Sequence, residues 1–557
     1  MKVELIKNWQ AIVNLKTQWH SVYKSDPEAC YFLSHEWLFG TKESIGRGGF
    51  VIGVREADES SDFVAFLPVR LYTKNDKNGF YNEVDLIGAG VSDYHGFICN
   101  PEYEEKAIVA FADMLNRMNW RRFRLRYTPT SKRRLQIFLN AFSGEVLELK
   151  SLGMHDENGI NLGICPYTLL PDDWDEYLAK NVSSNTRHKI RRYLRQVEGS
   201  ESFYFTHTTA ETLERDIKIL NRLWTERWGE SKGDELPNIQ HTTRRILRSA
   251  FFTDTLFFPI LWQNDNPLCA LGIFVDHEKK TYNFHIGGRD TSFKGPLSPG
   301  LVTHAYAIRH AISQGMQQYD FLRGNEPYKY SFCSEERHLR SLIIVTKSGR
   351  NMGDKLERGC LRYVWKNTLR LYREGDLAAA KRGCSQILKS DSNQPNVLYF
   401  YGYTLAQLGD HDIASRAFLK ALQRNPESPK LWLRLGRSMI ARQAQSREAA
   451  RHGNGGLDSL YDASTLLRHI ARILSKLNLA DQAVAVSEAA VKLDPEDTDL
   501  TAALAKALSG RKSRAVSKRP DKQSNKKRLL NRRLGKNTQP SVINPVRHRG
   551  SQGSPRL

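Results

Sequence analysis

Residues 320–332 read Asp320-Phe-Leu-Arg-Gly-Asn-Glu-Pro-Tyr-Lys-Tyr-Ser-Phe332, directly after an apolar helical stretch and a short strand pattern. If Tyr319–Leu322 is a strand, Asp320 and Leu322 share one face and Phe321 and Arg323 the other, before Gly324 permits a sharp turn. The loop then delivers Glu326, Tyr328 and Lys329 to the strand's end, where α/β folds commonly bind ligands. A lysine there can donate to a developing oxyanion, and Asp320 or Glu326 can take a proton from an attacking group. The same spacing fits an Asp320/Arg323 or Glu326/Lys329 ion pair that only pins the turn.

Upstream, Thr281-Tyr-Asn-Phe-His-Ile-Gly-Gly-Arg-Asp290 is a strand ending in two glycines. A turn-rich loop, Phe293-Lys-Gly-Pro-Leu-Ser-Pro-Gly300, follows, and then a helix over Leu301–Ser313. A glycine-containing loop entering a helix offers unpaired N–H groups and the positive end of the helix dipole, which suits an anionic ligand. Pro299 and Gly300 equally serve as a plain helix start. His285, between Phe284 and Ile286, is a third candidate base and also reads as a core histidine.

Taken together, Trp224…Trp228-Gly229, Ile286-Gly-Gly-Arg-Asp290, Ser298-Pro-Gly300, Gly315 and Asp320–Lys329 resemble the GNAT-superfamily acyltransferases of the CelD type, associated with cellulose and exopolysaccharide biosynthesis. Phe32-Leu-Ser-His-Glu-Trp37 and Leu86-Ile-Gly-Ala-Gly-Val-Ser-Asp-Tyr94 look like that family's opening motifs. The resemblance covers residues 1 to about 350. It implies paired GNAT-like lobes, related to the Fem-type aminoacyltransferases, with acyl-CoA as co-substrate held where two parallel strands splay. Mapped onto this chain, the splay falls between Thr281–Ile286 and Tyr319–Leu322. Arg289, Lys294, Gly295, Ser298, Gly300 and Arg323 then form the phosphate cradle, although the superfamily's Gln/Arg-x-x-Gly-x-Gly/Ala spacing is not kept. Tyr328-Lys329…Phe332 resembles the aromatic-Lys-x-x-Phe element of Fem-type enzymes, which places Lys329 on the oxyanion during direct attack. Asp93, Tyr94 and Trp228 fall to the acceptor. Arg187, Arg191 and Arg195 line one side of a basic helix that suits the phosphates of CoA or of a nucleotide-linked acceptor, or a tRNA acceptor stem, and equally reads as a solvated basic face.

Further out, Phe50–Val54, Phe63–Val69 and Arg122–Tyr127 are strands around an Ala107–Met118 helix, and Phe257–Trp262, Ala270–Val275 and Thr281–Ile286 repeat the theme. This predicts an α/β chain of tandem lobes: residues 1–155, then a catalytic lobe over 156–352 ending in an Arg340–Thr346 strand. After a linker helix (353–370) the strands disappear. Gly375 and Gly409, like Gly402 and Gly436, lie 34 residues apart, and Ala414, Phe418, Ala421 and Pro426 complete tetratricopeptide spacing. An all-α solenoid is therefore expected over 371–508, interrupted by an inserted loop at Ala444–Asp458, with a groove for a protein partner. A spacer or dimerisation arm is the plainer reading.

The formal net charge is +22, but from Gly510 onward fifteen Lys/Arg stand against Asp521 alone, so most of the charge sits in the tail. Residues 509–557 are expected to be a disordered basic tail, available to an anionic surface or nucleic acid. Seven scattered cysteines and no Cys/His cluster argue for reduced thiols and no metal. No signal peptide or apolar span is visible, which points to a cytoplasmic protein, peripheral at most to the inner membrane face. Three functions remain open at this level. One is acyl transfer from acyl-CoA to a sugar or amino-sugar precursor, free or lipid-linked, in surface polysaccharide synthesis. The second is Fem-like transfer from aminoacyl-tRNA to a peptidoglycan precursor, and the third a non-catalytic tetratricopeptide adaptor.

Overall fold

The computed structural model describes residues 1–333, 335–425, 428–451, 463–476, 479–493 and 495–517. The chain divides into two units, Met1–Val397 and Leu398–Leu557.

Among the described residues, sixteen strands of the first unit build two sheets. In the amino-terminal half run β1 (Lys2–Ile6), β2 (Phe50–Arg55), β3 (Phe63–Asp76), β4 (Gly79–Leu86), β5 (Ile98–Cys99), β6 (Arg122–Thr128) and β7 (Leu147–Ser151). Then follow β8 (Ile164–Leu169), β9 (Phe203–His207), β10 (Leu256–Phe257), β11 (Pro259–Gln263), β12 (Asn266–Asp276), β13 (Thr281–Arg289), β14 (Gln318–Asp320), β15 (Glu335–His338) and β16 (Arg340–Thr346). One sheet has the order β1-β2-β3-β4-β6-β16-β7 and the other β9-β11-β12-β13-β14-β8-β15. Each contains one parallel pair, β4/β6 and β13/β14, with a helix crossing between its members: α1 (Glu104–Asn116) in the first lobe, Pro299–Ser313 in the second. The tandem α/β lobes are thus two copies of one topology.

The chain crosses between the sheets twice. In each sheet the slot beside the second parallel strand is filled by a strand remote from it in sequence: β16 pairs with β6 and β7, and β8, which opens the second lobe, pairs with β14 and β15. Residues 340–346 therefore form the strand expected of them but belong to the first lobe's sheet. Three cores result. Phe111, Leu115 and Phe123 lie on the outer face of the first sheet. Ile190, Val302 and Ile308 lie on the outer face of the second. Between the sheets, Trp19, Tyr31, Phe32 and Trp37 pack on Phe274, Leu220 and Leu247, with Tyr31 stacked on Phe274 at 5.1 Å. Large aromatic surfaces buried on both sides make this a shared core.

The arginines of β6 face acids on the parallel β4. Arg124 pairs with Glu83 at 2.9 Å and Arg126 with Asp85 at 3.5 Å, so this basic face is neutralised within the sheet. Three helices of the second lobe border the functional region: α2 (Ser184–Glu198), α3 (Leu213–Lys232) and α4 (Pro299–Ser313). The hairpin α5 (Leu361–Arg373) and α6 (Leu377–Ser390) belongs to the first unit, where Gln386 bonds both the N–H and the carbonyl of Phe80 at 2.9 and 2.8 Å.

The second unit is helical: α7 (Pro395–Gln407), α8 (His411–Leu422), α9 (Pro429–Arg451), α10 (Ala463–Lys476), α11 (Ala480–Leu493) and α12 (Thr498–Ser517). Its glycine period has a steric cause. A Cβ at Gly402 would stand 2.8 Å from the Phe418 ring, and one at Gly436 would stand 2.8 Å from Leu467. Gly375 and Gly409 take φ of +88° and +82° at the turns between helices. The expected loop at 444–458 is helical through Arg451, since α9 does not break there. Likewise α12 runs to Ser517, past the expected start of the tail. The rest of that loop, Pro426 and residues 518–557 lie outside the described residues.

Candidate active site

β13 and β14 pair over three residues only, Thr281–Asn283 against Gln318–Asp320, and then part. A cavity of about 580 Å³ opens in the gap. Its walls come from β13 (Phe284–Arg289), α3 (Trp224, Arg227, Trp228), the first turns of α4 (Ser298, Gly300, Leu301, His304), the segment after β14, and Asp93 of the first lobe.

The segment after β14 is strained. Leu322, 2 % exposed, has φ of +58°, and Gly324 follows at +101°. Bulky residues rarely occupy this region unless their surroundings fix them. Two groups do so here. Asp320 Oδ1 accepts the Leu322 N–H at 2.8 Å, and Lys329 Nζ donates to the carbonyls of Arg323 and Gly324 at 2.8 and 2.9 Å, with that of Leu322 at 3.4 Å. Lys329, buried, also ion-pairs with Glu326 at 2.8 Å, and both residues line the cavity.

Asp320 does not reach the cavity. Buried, it accepts from Tyr94 Oη at 2.9 Å and ion-pairs with Arg337, so neither Asp320 nor Tyr94 presents a free group to a ligand. The Asp320/Arg323 pair that the spacing allowed does not form, because Arg323 pairs with Asp93. The Glu326/Lys329 pair does form.

His285 occupies a β-bulge. Gly272 opposes Ile286 and Ile273 opposes Phe284, which leaves His285 as the extra residue. Bulges re-aim side chains. Here Phe284 packs into the second lobe's core, Ile286 packs against the shared one, and His285 lines the cavity. Its Nδ1 lies 2.8 Å from Asp93 Oδ2, and Asp93 Oδ1 accepts from Arg323 Nε at 2.8 Å. Burial works against the charge of Asp93, but Arg323 and His285 more than offset it and hold the carboxyl well below the usual range.

The donor-side features fit an anion. Ser298 makes no side-chain cap to α4 and Pro299 is its first residue, so the N–H groups of Gly300 and Leu301 lack helical partners. A Cβ at Gly300 would meet only Arg289 Cδ, at 3.9 Å. Arg289 and Arg227 line the cavity and pair with no carboxylate among the described residues, while Arg227 lies over the Trp228 ring at 4.7 Å. Lys294 and Gly295 are exposed in the preceding loop and do not line the cavity. Nor do Arg187 and Arg191, the latter being paired with Asp175 at 2.7 Å. Tyr328 lines it, and its ring lies 5.9 Å from that of His304.

His304 escaped the sequence reading, hidden among apolar neighbours on α4. It lines the cavity, with Nδ1 3.2 Å from Tyr319 Oη. Burial, helped by the charge of Lys329, lowers it to about 3 and keeps the ring neutral. Among the described residues no group of three or more His, Cys, Asp or Glu could hold a metal, and no helix is long and apolar enough to cross a membrane.

The model of the acetyltransferase (GNAT) domain family matches residues 184–330, and tetratricopeptide-repeat models match 395–438 and 468–497. A search of curated proteins finds no match. Among solved structures, a conserved protein of unknown function from Bacteroides thetaiotaomicron is similar at 11% identity and a TM-score of 0.33, over 61% of this chain and 92% of that one. L-PGS from Bacillus licheniformis is similar at 8% and 0.35, over 59% and 91%. MamA from Desulfovibrio magneticus is similar at 19% and 0.16, over 32% and 97%. With every TM-score below 0.5, the assignment rests on the domain matches and on the site itself. Residues 184–330 are thus a GNAT-type acetyltransferase domain, and tetratricopeptide repeats follow it toward the carboxyl end.

Proposed function

We propose that the protein moves an acyl group from acyl-CoA, acetyl-CoA in the simplest case, to an amine or hydroxyl of a sugar or amino-sugar precursor of a surface polysaccharide. The observation that carries this reading is the cavity between the diverging β13 and β14, which has an uncapped helix start and two arginines without a carboxylate partner among the described residues on one side and a histidine–carboxylate pair on the other. Acyl-CoA would supply the thioester carbonyl. The N–H groups of Gly300 and Leu301, with Arg289, would hold its pyrophosphate. His285 is the base for the acceptor: it takes the proton from the attacking amine or hydroxyl as the new bond to the carbonyl carbon forms, the C–S bond breaks, and the CoA thiolate leaves and is protonated to CoA-SH. His304, if its Nδ1 accepts from Tyr319, keeps an Nε2–H donor for charge developing on the carbonyl oxygen. Lys329 fixes the turn that delivers Arg323. The rings of Trp224 and Trp228 suit a pyranose face, and the CelD-type motifs support a polysaccharide setting. A partner in the tetratricopeptide groove would recruit the enzyme to its acceptor.

Calorimetric titration of acetyl-CoA tests the donor. Heat is expected with the wild type, and about tenfold weaker binding with Arg289→Ala. No heat with acetyl-CoA, CoA or a long-chain acyl-CoA would sink the reading, and salt-sensitive retention of tRNA in its place would favour the aminoacyl-tRNA alternative.

A further inference from the structure

The acetyltransferase match begins at residue 184, yet the cavity's only first-lobe residue, Asp93, is 7 % exposed and touches two of its walls. We propose that Asp93 is a positioning residue: delivered by the first lobe, it holds His285 in the tautomer whose Nε2 carries the lone pair, so that the acid/base site is complete only when both lobes are present. This rests on the acyl-transfer reading for its purpose and on geometry for its substance.

The geometry leaves little freedom. Asp93 Oδ1 is taken by Arg323 Nε and Oδ2 faces His285 Nδ1, both at 2.8 Å. Arg323 cannot swing away, since its guanidinium lies 4.2 Å from the Tyr127 ring, also of the first lobe. An ionised carboxylate only accepts hydrogen bonds, so Nδ1 must carry the hydrogen, and in a neutral imidazole the lone pair then lies on Nε2. The bulge at His285 turns the ring from the strand's regular alternation toward this carboxylate, and Phe274, 5.0 Å away, supports its other side. Nε2 is then the atom that receives the acceptor's proton.

The full chain, labelled with ¹⁵N-histidine, reports the tautomer directly at pH 8 by NMR, with the His285 signals identified by their loss in His285→Gln. The wild type is expected to show a protonated Nδ1 and an unprotonated Nε2. In Asp93→Asn, whose amide can donate to Nδ1, the tautomer is expected to invert or mix, and Asp93→Glu is expected to restore it in part. An Nε2–H in the wild type overturns the proposal whatever the variants do, and so does an unchanged tautomer in a folded Asp93→Asn. No donor is present in this measurement, so a failure of acyl-CoA to bind would count against the functional reading and leave the tautomer result standing.

Discussion

At the scale of single residues, the motif that looked most like chemistry lines the cavity and also pins its own turn. Asp320 and Lys329 grip opposite ends of the turn from Leu322 to Gly324, and Arg323, Glu326 and Lys329 itself line the cavity beside it. Losing the Lys329 ammonium leaves carbonyls without a donor and Glu326 without its ion pair. Lys329→Met is therefore expected to cost about 2 kcal/mol in urea unfolding, with Glu326→Gln added to it recovering part of the loss. Acyl-CoA affinity should fall alongside stability. A Lys329→Met protein of wild-type stability that binds acyl-CoA normally and fails only in turnover would return the lysine to the role of oxyanion donor. The sequence supplied the candidates here because charged residues after a strand and a glycine are visible at a distance of ten residues. It could not show how they pair. Asp320 is separated from Tyr94 by 226 residues and Asp93 from His285 by 192, and no local spacing encodes those contacts.

At the scale of elements, period served well wherever burial was one-sided and failed where it changed. Residues 281–289 were legible as a strand, but the bulge was not, since alternation through Phe284, His285 and Ile286 looks regular until the partner strand is known. The helix Leu236–Phe252 was overlooked although Thr243, Ile246, Leu247 and Ala250 mark its buried face at helical spacing. Strand β16 was legible and its sheet was not, because apolar alternation specifies a face and leaves the neighbour open. The passages from β7 to β8 and from β15 to β16 tie the lobes by two covalent crossings as well as by the shared core, and the second puts β16 in the first lobe's sheet. Hydrogen exchange should show it: amides of 340–346 are expected to share the protection and the opening free energy of β6, their partner in the first sheet. Protection of 340–346 that follows β14 and departs from β6 would contradict the place of β16 in the first lobe's sheet.

At the scale of the whole molecule, the repeats were legible because close helix crossings and left-handed turns impose glycine every 34 residues, a demand independent of tertiary context. Which charges have partners bears on what the repeats could bind. On one part of the second unit the cations are paired: Arg416 and Arg442 share Asp412, and Arg468 holds Asp497 and Asp499. Lys430, Arg434 and Arg437 lie on one face of α9 at i, i+4 and i+7, and pair with no carboxylate among the described residues. Arg434 lies over the Tyr403 ring of α7 at 4.3 Å, which places this face beside that helix. Three unbalanced cations beside an aromatic ring suit an acidic peptide, bound weakly and with marked salt dependence. The basic tail would also attract such a peptide, so the comparison has to be made within the full chain. A fluorescent peptide rich in Asp and Glu is expected to bind the wild type at low salt. The triple variant Lys430→Ala, Arg434→Ala, Arg437→Ala, which leaves all fifteen tail cations in place, should weaken that binding at least tenfold. Equal binding by the two proteins would assign the attraction to the tail and leave the groove's partner to be sought among neutral or basic segments.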